Sequence, residues 1–358
     1  MQPSTEAAQG SSKQCTACGL AADVGRYCEI CGGDLEELAL PAEAPAWISS
    51  AATEDNPEHP GGSDDHTSFS LPGIGACTDV GKRHHYNQDS IAISLADDGR
   101  KIVVVCDGVS GASDSERASL AGVEAAIAEI RTGLGEGMSA EDASRRGVGA
   151  AHSAVAAVGK QYPNSPPSST YVSAVIEGDQ VILCWVGDSQ AFWAGEKEAK
   201  RLTVDDTIHD RLVYQGVDPS DDRYKNPYAK ALLAWLGADA PTLNPNLLRV
   251  DLRGGHVVVC SDGLSRYFND DSDLLPLPEG TVGDKAVALT RQALANGGHD
   301  NISVAVVELE SPGSVQVDVQ EQESADPDPS GPKGAEPAPL LGIASEAEYT
   351  ELLGGGRP

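Results

Sequence analysis

Three aspartates beside glycines or amide side chains stand at the ends of short apolar runs in the sequence. They are Asp107 after KIVVVC, Asp262 after HVVVCS, and Asp300 in GGHDN before ISVAVV. An isolated Asp-Gly pair is more often a simple turn. Three carboxylates at strand ends of one region instead favour an oxygen-ligand site for Mg²⁺ or Mn²⁺. Two such ions could hold a phosphate group and activate a water for in-line attack.

Four cysteines form a second group close to the N-terminus. They are Cys15, Cys18, Cys28 and Cys31, two C-x-x-C pairs with nine residues between them. Thiolates at this spacing can surround one Zn²⁺ tetrahedrally, as in a zinc ribbon. A disulfide pair or a redox dithiol are the alternatives, and the two paired knuckles favour zinc. With four cysteine ligands the ion has no open coordination position, so its predicted role is structural, to dock a partner or stabilise a contact.

The elements that must position the aspartates are short β-branched runs and longer Ala-rich segments. Strands are predicted at 101–106, 170–177, 180–186, 256–260 and 302–307, and helices at 115–132, 141–159 and 284–296. Strands follow strands and helices follow helices, which favours a layered α+β fold over regular βαβ alternation. Aromatic residues make up only 4% of the chain, so the predicted core is aliphatic.

Charge divides the chain into segments. The net charge is -30, and 16 of these negative charges arise from residues 34–68 and 311–358, which are also rich in proline. Such composition buries too little apolar surface to offset the ordering of the chain. We therefore expect an acidic disordered linker at 34–68 and an acidic Pro-rich disordered tail at 311–358. A surface this acidic also argues against nucleic acid as a partner.

Features of export or membrane insertion are not expected. The N-terminal residues are polar, and no apolar run approaches the roughly 20 residues of a membrane helix. The predicted location is cytoplasmic, with no membrane partner. Four further cysteines are predicted to be buried as small hydrophobic residues. They are Cys77, Cys106, Cys184 and Cys260.

Several motifs together resemble the PPM family, the type 2C protein phosphatases. They are Thr78-Asp79-Val80-Gly81, Asn87-Gln88-Asp89, Asp107-Gly108, Trp185-Val186-Gly187-Asp188-Ser189, Leu202-Thr203-Val204-Asp205, Ser261-Asp262-Gly263-Leu264 and Gly298-His299-Asp300-Asn301. The resemblance covers about residues 73–309. It implies a four-layer α-β-β-α sandwich of two antiparallel sheets flanked by helices, with two Mg²⁺ or Mn²⁺ ions at the sandwich edge.

The resemblance also implies roles for individual residues. Asp107 is expected to bridge both ions, with the carbonyl of Gly108 on one of them. Asp262 and Asp300 are expected to bind the other ion, and Asp89 to orient water. The expected organisation is a zinc ribbon at 13–33, the linker at 34–68, a phosphatase domain at 69–310 and the tail at 311–358.

The sequence departs from the family's pattern at the phosphate. His84 stands where members usually have an arginine, so either His84 or Arg83 is expected to grip the substrate phosphate. Gln88 replaces a frequent Glu. Ser165 lies near the usual position of an Asp that binds a third metal. An arginine offers a bidentate fork that histidine lacks, so the affinity for phosphate is expected to be lower unless Arg83 takes over the contact.

The predicted function is a metal-dependent protein serine/threonine phosphatase. Its expected partners are phosphorylated proteins, a cognate Ser/Thr kinase with its targets, and an unidentified partner of the zinc ribbon. The main alternative is a catalytically weak phosphatase-fold scaffold recruited through the ribbon. A phosphohydrolase of nucleotides or other small molecules would use the same metals, so substrate profiling is needed to separate it.

Overall fold

The computed structural model describes residues 47–50, 66–109 and 114–309 in full, together with the backbone of three short N-terminal strands. These strands are β1 (Lys13–Cys15), β2 (Ala21–Ala22) and β3 (Leu35–Glu37). They form an antiparallel sheet in the order β2-β1-β3. The side chains of the predicted zinc ligands lie outside the described residues, as do residue 310 and the predicted tail at 311–358.

Fourteen more strands follow between residues 47 and 309, within the part of the chain that the structure describes. They are β4 (Ile48–Ser49), β5 (His66–Leu71), β6 (Ile74–Asp79), β7 (Asp89–Leu95), β8 (Lys101–Asp107), β9 (Ser168–Ser169), β10 (Tyr171–Glu177), β11 (Gln180–Val186), β12 (Gln190–Ala194), β13 (Ala199–Arg201), β14 (Leu236–Gly237), β15 (Asn246–Asp251), β16 (His256–Cys260) and β17 (Ile302–Glu308). The strands predicted from β-branched runs are confirmed as β8, β10, β11, β16 and β17.

Twelve of these strands form two six-stranded sheets. Sheet A has the order β15-β11-β10-β8-β7-β4, and sheet B has the order β13-β12-β16-β17-β6-β5. Every pairing within the two sheets is antiparallel. Antiparallel neighbours place the end of one strand beside the start of the next. Residues from successive strands therefore meet at the same edge of a sheet.

Five α-helices accompany the sheets among the described residues. They are α1 (Ser115–Gly135), α2 (Ala140–Gly159), α3 (Ile208–Tyr214), α4 (Asp262–Ser265) and α5 (Val282–Ala295). The three long helices predicted from periodicity are confirmed as α1, α2 and α5. Helix α5 begins with a capping box, in which Thr281 and Asp284 satisfy each other's backbone N–H groups. None of the described helices has the length and apolarity that crossing a bilayer requires.

Three aliphatic clusters separate four layers. One cluster lies between the two sheets and includes Ile91, Val105 and Val259. A second joins sheet A to α1 and α2, and a third joins sheet B to α4 and α5. The fold is therefore α+β, an α-β-β-α sandwich, as expected. All four of the isolated cysteines are buried in these clusters as free thiols.

The folded part begins before residue 69, in the segment predicted to be a linker. Strand β4 extends the edge of sheet A by pairing with β7, and β5 begins at His66 on the edge of sheet B. The Ser50 N–H donates to the carbonyl of Ile91, and the Ile91 N–H donates to Ser50 Oγ. The side chain of Trp47 packs against the cluster under α1 and α2. Residues 51–65 lie outside the description.

Candidate active site

Sheet A contributes two of the predicted site residues, Asp89 and Asp107. Asp89 is the first residue of β7 and Asp107 the last of β8, and the antiparallel register places them directly opposite each other. Asp89 is only 4% exposed. Its Oδ2 accepts a hydrogen bond of 2.6 Å from Ser261 Oγ, and its Oδ1 has no hydrogen-bond donor among the described residues. A buried carboxylate oxygen without a hydrogen-bond donor costs free energy unless a water molecule or a cation binds to it.

Sheet B contributes the other two, Asp262 and Asp300. Asp262 is the first residue of α4, just after β16, and Asp300 lies two residues before β17. The two segments approach so closely that a Cβ on Gly263 would lie 1.8 Å from the carbonyl oxygen of Asn301. Only glycine fits at this position. This backbone contact brings the two carboxylates to the same end of neighbouring strands.

Crowding of the carboxylates shifts their proton affinities. Burial raises the pKa of Asp89 to about 7; the hydrogen bond from Ser261 lowers it, and the charges of Asp262 and Asp300 raise it further. Burial and then the charge of Asp89 raise the pKa of Asp107 well above its ordinary value. Burial also raises the pKa of Asp262, although the guanidinium of Arg266 opposes the shift. The cluster of negative charge therefore favours a cation.

In the structure, the guanidinium of Arg266 supplies positive charge beside two of these carboxylates. Its Nη2 lies 2.6 Å from Asp262 Oδ2, and its Nη1 lies 2.8 Å from Asp300 Oδ2. Burial lowers the pKa of the guanidinium, but the attraction of Asp262 and Asp300 outweighs this effect and raises it. Arg266 was not predicted as a site residue. The signal was its position four residues after Asp262, which is one helical turn away once the segment is known to be helical.

Arg83 and His84 lie in the loop between β6 and β7, and the structure places them differently. His84 is partly buried, and its Nε2 lies 3.1 Å from Asp300 Oδ1. Arg83 is exposed. Asn301 fixes this loop, because its side-chain amide donates to the carbonyls of Val80 and Tyr86 and its oxygen accepts from the N–H of Gln88. His84 therefore faces the carboxylates.

Gly108 continues the backbone from Asp107 into the site. Its N–H donates to the carbonyl of Gln88, the residue just before Asp89. A Cβ here would lie 2.7 Å from that carbonyl oxygen and 2.9 Å from the carbonyl oxygen of Ser115. A glycine is therefore required for the two strand ends to meet. Residues 110–113, which follow, lie outside the description.

Asp188 is a further acidic residue of the site that was not singled out for a role. Burial raises its pKa to about 7, and the charge of Asp262 adds to the shift. Asp188 in turn raises the pKa of Asp107. Its sequence signal was the Gly-Asp-Ser run directly after β11, which has the same strand-end position as the other aspartates.

The donor set agrees with a hard divalent cation. The carboxylates found here, and the carbonyl of Gly108 that the resemblance implies as a further ligand, are oxygen donors, which suit Mg²⁺ or Mn²⁺ better than softer metals. The buried Oδ1 of Asp89 and the raised pKa values indicate a deficit of positive charge. Within residues 66–109 and 114–309, however, no three acidic, histidine or cysteine side chains are already arranged around one point. Arg266 lies between two of the carboxylates, Asp262 and Asp300.

Comparisons with known proteins agree with this architecture. The family model described as "Protein phosphatase 2C" matches residues 81–283, more than half of the chain. The chain therefore belongs to the protein phosphatase 2C family.

Two curated relatives come from bacteria. It is 29% identical over 238 residues to the serine/threonine protein phosphatase PstP of Mycobacterium tuberculosis; the match covers 65% of this chain but only 44% of PstP. It is 24% identical to the serine/threonine phosphatase stp of Listeria monocytogenes, covering 64% of this chain and 93% of that protein. The chain thus matches less than half of PstP.

Solved structures share the fold. The crystal structure of PstP from M. tuberculosis superposes with a TM-score of 0.56 at 26% identity, covering 66% of this chain and 98% of that chain. A second structure, the PstP catalytic domain in complex with two manganese ions, has a TM-score of 0.52 at 23% identity, covering 66% and 98%. The matched part of this chain thus corresponds to nearly the whole of each solved domain.

Proposed function

We propose that this chain is a metal-dependent phosphatase that removes phosphate from serine and threonine residues of proteins. The observation that carries the proposal is the meeting of Asp89 and Asp107 from sheet A with Asp262 and Asp300 from sheet B. Membership of the protein phosphatase 2C family and the names of the relatives support the same reaction.

We assign two Mg²⁺ or Mn²⁺ ions to this site. Asp107 and the carbonyl of Gly108 would hold one ion, Asp107 would also contact the other, and Asp262 and Asp300 would complete the second. When bound, such ions withdraw electron density from phosphate oxygens and make water a better nucleophile at neutral pH. The manganese complex of PstP supports this assignment.

Asp89 is assigned the task of orienting water. Ser261 fixes its Oδ2, so the unpaired Oδ1 is left to accept a hydrogen bond from a water molecule. The buried position prevents the side chain from turning away to solvent.

His84 is assigned the contact with the substrate phosphate, in preference to Arg83. The side chain of His84 lies against Asp300 and keeps 30% of its surface exposed, so it borders the carboxylates and remains reachable. Arg83 is exposed. The side chains of Asp262 and Asp300 are 30% and 26% exposed, so the rim is open to a phosphorylated side chain of a protein.

Hydrolysis assays on the full chain test the proposal. With Mn²⁺ present, the protein should hydrolyse p-nitrophenyl phosphate and phosphoserine and phosphothreonine peptides, and EDTA should abolish both activities. Faster turnover of nucleotides than of any phosphopeptide would replace protein substrates with small molecules. Absence of hydrolysis on every substrate would leave the scaffold alternative.

We also propose that Cys15, Cys18, Cys28 and Cys31 bind one structural Zn²⁺. The support is the spacing of the two C-x-x-C pairs and the short antiparallel strands of the backbone between residues 13 and 37. Metal analysis of the purified chain should find one zinc per molecule, lost when Cys15 and Cys28 are both changed to Ser. The ribbon would dock a partner protein. A cognate kinase and a cytoplasmic location stay predictions.

A further inference from the structure

Arg266 is held in place by Asp262 and Asp300 through three contacts. Its side chain makes ion pairs of 2.6 Å to Asp262 and 2.8 Å to Asp300, and its backbone N–H donates to the carbonyl of Asp262 at 2.9 Å. The backbone bond closes the single turn of α4 and so places the Cα of Arg266 one turn from Asp262.

The two partners of Arg266 are the carboxylates that the proposed function assigns to the second ion. We propose that Arg266 is a built-in competitor of that ion: its guanidinium neutralises Asp262 and Asp300 in the ion-free protein and weakens the binding of a divalent cation there. This inference rests on the proposed function only in its assignment of Asp262 and Asp300 as ligands.

Charge and hydrogen bonding explain the competition. Arginine stays protonated at every physiological pH, and its planar fork can serve two carboxylates at once, so the pairing does not depend on titration. An ion that binds both carboxylates must replace two charge-assisted contacts, and such contacts are the stronger class of hydrogen bond. The guanidinium side chain is 32% exposed, so it can turn into solvent when displaced.

The same contacts should stabilise the ion-free fold. Without a guanidinium, Asp262 and Asp300 repel each other, and burial already raises the pKa of Asp262. Arg266 connects the segment after β16 to the segment before β17. Removal of the Arg266 guanidinium should therefore lower the stability of the ion-free protein and increase its affinity for the ion.

Mn²⁺ binding to the full chain tests the proposal directly. Arg266→Gln and wild-type protein, both passed over a chelating resin, are titrated with MnCl₂ while the electron paramagnetic resonance signal of free Mn²⁺ is followed. The Kd of the more weakly bound Mn²⁺ should fall by about tenfold in the variant. A tenfold change in Kd corresponds to about 1.4 kcal/mol. The melting temperature without Mn²⁺ should fall, and its rise on saturation with Mn²⁺ should exceed the wild-type rise.

Arg249→Gln is the matched control. Arg249 makes a comparable ion pair, 2.9 Å to Glu141, on β15 at the outer edge of sheet A. The Arg249→Gln protein has the same cysteine cluster as the Arg266 variants, so any Mn²⁺ bound by thiolates contributes equally to both titrations. This control should leave both Mn²⁺ Kd values unchanged. Arg266→Lys keeps a positive charge but loses the planar guanidinium. Its Kd for the more weakly bound Mn²⁺ should lie between those of wild type and Arg266→Gln.

Other results would overturn the inference. An unchanged or weaker Mn²⁺ affinity in both Arg266 variants would show that the guanidinium does not compete. If those variants lost affinity for inorganic phosphate instead, Arg266 would be a phosphate ligand. Wild-type protein that binds no Mn²⁺ would refute the proposed ion site as well, whereas normal wild-type binding with unaltered variants would refute only the competition.

Discussion

Asp89 and Asp107 occupy directly opposed positions on neighbouring antiparallel strands, at the edge where β7 begins and β8 ends. Like charges directly opposite on a sheet are destabilising. Burial removes the water that would screen them, and the pKa of each carboxyl is raised. In the absence of cations, the two opposed carboxylates therefore lower the stability of the fold.

The stability of the ion-free protein should decrease from about pH 4 to about pH 7. The pKa of Asp89 is about 7 in the folded state, as is that of Asp188, against an ordinary value near 4. In this window the folded state binds more protons than the unfolded state, so the free energy of unfolding falls as pH rises. Urea unfolding with EDTA present at pH 5 and pH 8 measures the effect.

Asp89→Asn should separate stability from activity. At pH 8 without divalent ions the variant should be more stable than wild type by on the order of 1 to 3 kcal/mol, because a buried charge has been removed. The gain should shrink toward pH 5, and hydrolysis should be lost. Asp251→Asn, on the exposed end of β15, serves as the control and should change neither property. A less stable Asp89→Asn protein at pH 8 would contradict the raised pKa.

Asp262→Asn should reduce hydrolysis of p-nitrophenyl phosphate by at least about a hundredfold while the fold is kept, because a charged ligand is lost from the rim. Asp107→Asn should be at least as severe, since Asp107 is assigned to both ions. Activity is measured at saturating Mn²⁺ with circular dichroism as the folding check. Activity of Asp262→Asn within a few-fold of wild type would remove Asp262 from the ligand set.

His84→Arg should lower KM for a phosphopeptide by roughly three- to tenfold, because a guanidinium makes a bidentate contact with phosphate that imidazole cannot make. The value of kcat should change less, since the contact exists in the ground state as well. Arg83→Ala is the neighbouring control, and its KM should stay the same because the phosphate contact is assigned to His84. A higher KM for Arg83→Ala would transfer the phosphate contact to Arg83.

Two truncations should locate the start of the folded unit. Deletion of residues 1–45 should leave the melting temperature and hydrolysis of a small aryl phosphate unchanged. Deletion of residues 1–65 removes Trp47, β4 and the Ser50 hydrogen bonds with Ile91. We expect the longer deletion to lower the melting temperature by roughly 5 to 10 °C. Equal melting temperatures for the two proteins would mean that β4 contributes nothing to stability.

The aliphatic runs at β8, β10, β11, β16 and β17 were predictable because β-branched residues in short segments have a clear pattern. Strand β4 was not predictable, because two residues in an acidic, Pro-containing segment form a strand only by pairing with the free edge of β7. Asp107, Asp262 and Asp300 could be found from their positions at strand ends. The pairing of Arg266 with Asp300 joins two segments far apart in sequence, and no local pattern encodes it.

The division of the acidic site between the two sheets links it to the kinetics of folding. Asp89 and Asp107 belong to sheet A, whereas Asp262 and Asp300 follow or precede strands of sheet B. A cation held by both groups exists only after the sheets have packed together, so it stabilises the native state and not the separate sheets. Where the sheets pack together only after the transition state of folding, such an interaction slows unfolding without accelerating refolding. The lifetime of the native state should therefore lengthen with the concentration of free Mg²⁺ or Mn²⁺.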